Sequence, residues 1–184
     1  MTFLEVLREW GCSWLWERMT IIGGTEWIVQ AITAGSLVAI TDGLYTRQLY
    51  PHLCSAAFVL ECSYGRGRLV GLFKEASKAA IAYRGELLGL MVIHLILVSV
   101  NWVHKSLSGS AKVVSDCLGA LQWVTYLPPL LNSIKMQTFR YLKIYTCELS
   151  GFDIQYKLLP REGASGQHDA IQKVEQELAT QLYM

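Results

Sequence analysis

Charge is scarce in this chain. Only 17% of the 184 residues are Asp, Glu, Lys or Arg, 52% are hydrophobic, and the formal net charge is +1. Typical soluble domains carry about a quarter charged residues. A balance this even does not by itself announce a polyanion binder. Paired cysteine motifs are missing too. The five cysteines, Cys12, Cys54, Cys62, Cys117 and Cys147, are odd in number and include no Cys-x-x-Cys pair. That argues against a zinc site and for reduced thiols in an intracellular protein, in the cytoplasm or nucleus. Residues 1–20 contain Glu5, Arg8, Glu9, Glu17 and Arg18 within their apolar pattern, so they do not read as a secretory signal. "GRGR" at 65–68 is not a phosphate loop, because no Gly-Lys-Ser/Thr follows it. No nucleophile elbow, internal repeat, low-complexity run or polymerase motif is present.

The charge that exists is unevenly placed. Residues 1–36 carry two basic and four acidic side chains, and residues 37–126 carry eight and five. Neutralising the middle acids with metal would leave that segment distinctly basic. One apolar run, "LLGLMVIHLILVSVNWV" at 87–103, approaches the length of a membrane span. His94 and Asn101 lie inside it and Glu86 abuts it, so it reads as a buried helix covering a sheet, with no membrane partner.

The length suits one domain with a short extension. Residues 1–36 are Trp-rich with helical spacing, broken at Gly23 and Gly24, and "TEWIVQAIT" offers a second short helix. They read as an N-terminal helical extension. From Leu37 the texture changes. "LVAIT" (37–41), "CSAAFVLEC" (54–62) and "RLVGLF" (68–73) read as three strands in a meander, the last two joined by the "YGRG" turn. A long helix over about 77–100 follows, then a fourth strand, "AKVVSD" (111–116), and a helix in "CLGALQWVTY" stopped by Pro128 and Pro129. Residues 134–149 suggest another helix. "FDIQYKLL" (152–159) alternates as a fifth strand, and "DAIQKVEQELATQL" forms a terminal helix. Antiparallel strands leading into βαβ crossovers predict an α/β fold: a mixed five-stranded sheet with helices on both faces.

Four acids sit at the junctions of this pattern. Asp42 ends the first strand on the face of Val38 and Ile40. Asp116 ends the fourth on the face of Val114. A helical crossover lets these strands run parallel, which brings their C-terminal ends together, where α/β sheets place their sites. Glu86 shares a helix face with Ala82, Gly89, Leu90 and Ile93, the buried side, where a carboxylate needs a partner or a cation. Asp169 begins the last helix, where an N-cap role is also open. Together the four offer hard oxygen ligands of the kind that bind Mg²⁺ or Mn²⁺. Two such ions about 4 Å apart can activate a water and steady the leaving oxygen in phosphodiester cleavage.

In this order, "TDGLY", "YRGELLGL", "VVSDCLGAL" and "PREGASGQHDAI" resemble the ribonuclease H domain, most closely the kind attached to reverse transcriptases of retroelements. The resemblance runs from about Leu37 to Ala179, so that residues 37–184 form an RNase H-like domain. It implies an endonuclease that cleaves the RNA strand of an RNA–DNA hybrid by a two-metal carboxylate mechanism. Asp42, Glu86 and Asp116 would hold the metals, Asp169 would complete the set, and His168 would assist product release or proton transfer. Glu175 and Glu177 are alternatives to Asp169. A longer parent polyprotein with a reverse-transcriptase domain is implied as partner. Leu44 and a lengthened loop before Asp169 depart from the family pattern. They keep a second reading open: a catalytically inactive remnant, or a nucleic-acid or protein interaction module, of retroelement origin. Arg84 is the better phosphate contact, with Arg66 and Arg68 in the hairpin turn as further ones. Trp102 and Trp123 read as packing residues.

Overall fold

The computed structural model describes residues 1–12, 18–45, 48–63, 65–76, 78, 81–105, 107–126 and 153–158, without the side chains of residues 44 and 123–126. The chain begins with α1 (Phe3–Glu9), held at its start by a capping box between Thr2 and Glu5. β1 (Met19–Ile22) and α2 (Glu26–Ala34) follow. The meander is β2 (Leu37–Leu44), β3 (Leu53–Cys62) and β4 (Arg68–Ala76). Then come α3 (Ala82–Val103), β5 (Ser110–Ser115), α4 (Leu118–Tyr126) and β6 (Asp153–Leu158).

The strands form one mixed sheet in the order β1-β4-β3-β2-β5-β6. β1, β4, β3 and β2 pair antiparallel, whereas β5 and β6 join in parallel. The expected mixed sheet is therefore present, with six strands among the described residues where the sequence predicts five. The additional strand is β1, which pairs Met19–Ile22 against Gly71–Arg68. Residues 1–36 carry the expected helices as α1 and α2, with β1 between them as an element the sequence did not predict. They supply an edge strand, and Phe3, Leu7, Trp27, Ile28, Ala31 and Ile32 enter the same core as the sheet. Their apolar surface is buried only by joining that core.

Alternation along the strands makes two faces. Ala39, Ala56, Phe58, Leu60, Leu69 and Phe73 pack with α3, while Val38, Ile40, Ala57, Val59 and Val114 form a second buried cluster. α3 is long and apolar enough to cross a membrane, yet 72% of its most apolar stretch is buried within the protein. It lies on β2 and β3 with α1 packed against it. The run at 87–103 is thus a core helix. Its start differs from the expected residue 77 because Ile81 is extended (φ −147°, ψ 161°) and the helix begins at Ala82. Trp102 is 61% exposed, with its ring edge-on to Trp10, so it is not a core packing residue. The helices expected at 134–149 and at the C-terminus lie outside the described residues.

Candidate metal centre

The parallel pairing of β2 with β5 decides where the acids meet. Thr41 lies opposite Ser115, so Asp42 and Asp116 follow side by side at the same end of adjacent strands. Both continue the face of Ile40 and Val114. Glu86 arrives from the first turns of α3, which seats on the end of β2 at backbone distance. A Cβ at Gly43 would lie 2.6 Å from the Glu86 nitrogen and 2.7 Å from the Gly85 carbonyl carbon. Real Cβ atoms do not come that near to backbone, so only glycine fits there.

Each of Asp42, Glu86 and Asp116 offers one carboxylate oxygen, and these oxygens all lie within 4.8 Å of one another. Like charges this close penalise joint ionisation. Glu86 bears the consequence: burial first, then the charges of Asp42 and Asp116, push its carboxyl from 4.5 up to about 9. A hydrogen bond from the Gly43 N–H acts in the opposite direction, and one shared with Asp42 adds to the rise. Glu86 Oε2 is buried with no hydrogen-bond partner among the described residues. An orphaned carboxylate oxygen beside two further carboxylates suits a hard divalent cation, which would supply the missing partner and the missing positive charge. The donor set is all oxygen, consistent with magnesium or manganese chemistry rather than zinc.

The sequence-predicted residues divide into three groups. Asp42, Glu86 and Asp116 converge. Asp169, His168, Glu175 and Glu177 lie outside the described residues. Of the three arginines, Arg84 and Arg68 are paired with glutamates. Arg84 donates from Nε and Nη2 to Glu75 Oε1 at 2.8 and 2.5 Å, so its guanidinium ties the first turn of α3 to the end of β4. Arg68 Nε lies 3.2 Å from Glu61 Oε1 as an ion pair without hydrogen-bond geometry. Arg68 pairs across the sheet with Glu61, and Glu61 with Val38. That row lies four residues down β2 from Asp42, roughly 13 Å away. Arg66, exposed in the same hairpin, is equally remote from the acids.

Two features escaped the sequence reading. Lys74 pairs with Ser55, which pairs with Leu44, two residues along the strands from the row of Asp42, Ala57 and Leu72. It stands on the face of Asp42 at the same end of the sheet, and alternation along β4 from Val70 through Leu72 could have placed it there. His94 is the other. It is fully buried, with Nδ1 2.7 Å from the Leu90 carbonyl and Nε2 2.7 Å from the Tyr156 hydroxyl. If Nδ1 carries the proton, Nε2 accepts from Tyr156 and both atoms are satisfied by a neutral ring. Burial holds His94 down at about 4 and raises Tyr156, so the pair joins α3 to β6 without charge.

No family model matches the sequence. No curated protein matches it either. Solved structures do share its architecture. RNase H1 from the halophilic archaeon Halobacterium salinarum NRC-1 is 16% identical, with a TM-score of 0.50 over 77% of this chain and 98% of that one. LC11-RNase H1, solved in complex with an RNA/DNA hybrid, is 12% identical, with a TM-score of 0.57 over 77% of this chain and 99% of that one. At such identities the likeness is one of fold, and the chain has the RNase H-like fold.

Proposed function

We propose that this chain is a metal-dependent endonuclease that cleaves the RNA strand of RNA–DNA hybrids. The observation that carries the proposal is the convergence of Asp42, Glu86 and Asp116 around an orphaned buried oxygen at the C-terminal ends of adjacent parallel strands. The solved hybrid complex of LC11-RNase H1 supports the substrate. Two Mg²⁺ or Mn²⁺ ions at these carboxylates would supply an activated water and steady the departing oxygen.

The chain's own residues divide the work of preparing that site. Asp42 and Asp116 are fixed by strand register, and Glu86 by the seat of α3 on β2. Arg84, held by Glu75, steadies the turn that bears Glu86. Lys74 offers a positive charge to a phosphate on the face of Asp42. Asp169 completes the carboxylate set and His168 assists proton transfer or product release, as the "PREGASGQHDAI" motif implies. Recognition through 2′-hydroxyls, phosphates and groove shape would make cleavage independent of sequence. The four motifs also support a place beside a reverse-transcriptase domain in a longer retroelement polyprotein. An odd number of cysteines with no Cys-x-x-Cys pair supports an intracellular compartment.

The test is cleavage of an RNA–DNA hybrid labelled in its RNA strand, in Mg²⁺ and in Mn²⁺, beside the same sequence as duplex DNA. The expected outcome is metal-dependent cutting of the hybrid alone, lost in Asp42→Asn. A folded wild-type chain that leaves the hybrid intact in both metals would refute catalysis.

A further inference from the structure

β2 and α3 touch at a second point beside the acids. A Cβ built on Gly89 would overlap Thr41 Oγ1, and would lie 3.2 Å from Thr41 Cβ and 3.3 Å from Ala56 Cβ. Thr41 immediately precedes Asp42, and Gly89 lies one helical turn beyond Glu86. The two contacts are reciprocal: Gly43 of the strand admits the helix backbone, and Gly89 of the helix admits the strand's hydroxyl. Thr41 is held in place. It is 1% exposed, and its Oγ1 donates to the Ala57 carbonyl at 3.0 Å. A β-branched side chain has few χ1 choices. A rotamer that cleared space for a methyl on Gly89 would give up the bond to Ala57.

We propose that Thr41 and Gly89 are positioning residues for the metal centre, their contact setting how deeply α3 seats on β2 and thereby how far Glu86 reaches towards Asp42. This rests on the metal-centre reading above. Neither side chain touches the metal or the substrate. They act through the two carboxylates they adjoin, because a helix that rises from the strand at residue 89 carries Glu86 with it. Closely packed interiors transmit such shifts instead of absorbing them. The choice of glycine supports the role. Alanine is the better helix former in a helix interior, so something other than helix propensity favours glycine at position 89.

The experiment uses the full chain with three replacements: Gly89→Ala, Gly89→Ala with Thr41→Ala, and Gly89→Ala with Thr41→Val. Valine keeps a methyl where Oγ1 stood, whereas alanine clears the space. Folding is checked by circular dichroism, Mn²⁺ affinity by electron paramagnetic resonance of the free ion, and hybrid cleavage by kcat and KM. Gly89→Ala is expected to weaken Mn²⁺ binding by about 10- to 100-fold, as losses around a metal's immediate ligands do. It should lower kcat with little change in KM. Thr41→Ala should restore most of the Mn²⁺ affinity, and Thr41→Val should not. A folded Gly89→Ala chain that binds Mn²⁺ like the wild type overturns the inference and leaves the metal centre standing. Equal rescue by valine and alanine also overturns it. If Gly89→Ala does not fold, the alanine pair decides: a folded chain that binds Mn²⁺ supports the inference, and failure to fold or to bind overturns it. A wild-type chain that binds no Mn²⁺ refutes the proposed function itself, and this inference with it.

Discussion

Replacing Glu86 with Gln should make the metal-free protein more stable, although it removes a residue the proposed function needs. The folded environment raises this carboxyl from 4.5 to about 9. Between those values the folded chain holds a proton that the unfolded chain releases. Stability from this group is therefore fully present below pH 4.5 and drains away as pH rises towards 9. One pH unit corresponds to about 1.4 kcal/mol, so the loss is about 3 kcal/mol by pH 7 and about 6 kcal/mol by pH 9, both upper bounds. Gln is a neutral isostere of the protonated acid and escapes the penalty. Urea unfolding followed by tryptophan fluorescence, in chelator at pH 5, 7 and 9, measures this directly. The wild type should weaken across the series and Glu86→Gln should stay nearly level, gaining about 1–3 kcal/mol at pH 7. Added Mg²⁺ should stabilise the wild type and not the variant. A variant less stable than the wild type at pH 7, or a wild-type curve flat between pH 5 and 9, would refute the reasoning.

Other outcomes follow from the same geometry. Metal binding at pH 7 should release about one proton from Glu86, seen as a dependence of calorimetric heat on the ionisation enthalpy of the buffer. Gly43→Ala should destabilise the fold by at least about 2 kcal/mol, because its methyl meets backbone and not a movable side-chain tip, and thermal unfolding checks this. Lys74→Ala should raise KM for the hybrid several-fold at low salt with kcat unchanged, the difference shrinking as salt screens it. His94 titrates in the other direction from Glu86. Its pKa is depressed from 6.5 to about 4, so the unfolded chain binds the proton first, and stability falls as pH drops through that window. The contribution is about 3 kcal/mol, and unfolding at pH 4 and 6.5 should show a smaller difference in His94→Gln than in the wild type.

Much of this was legible in the sequence because it depends on short-range pattern. The apolar runs at 37–41, 54–62 and 68–73 correspond to strands largely buried on both faces, and the alternation within 153–158 corresponds to β6, since both patterns are written residue by residue. The meeting of Asp42 and Asp116 was also legible, because a helical crossover makes β2 and β5 parallel and their ends coincide. β1 was hidden. Four residues before a pair of glycines carry too little periodicity, and their pairing with β4 is a tertiary contact. The surroundings of the arginines were hidden for the same reason. Arg84 adjoins Glu86 in sequence, but its partner Glu75 comes from the end of another element. Arg68 adjoins a turn in sequence, and only strand register places it in the row of Glu61 and Val38, four residues down β2 from Asp42. The Thr41–Gly89 contact could not be read at all, because a glycine in a helix carries no sign of what approaches it.

The most direct test of the account is a crystal structure grown in Mn²⁺ near neutral pH, with anomalous scattering recorded at the manganese edge. The account predicts one or two manganese peaks bridged by the carboxylates of Asp42, Glu86 and Asp116, with Glu86 Oε2 among the ligands. Anomalous density absent from that cluster while the protein is folded and the three acids remain together would contradict it.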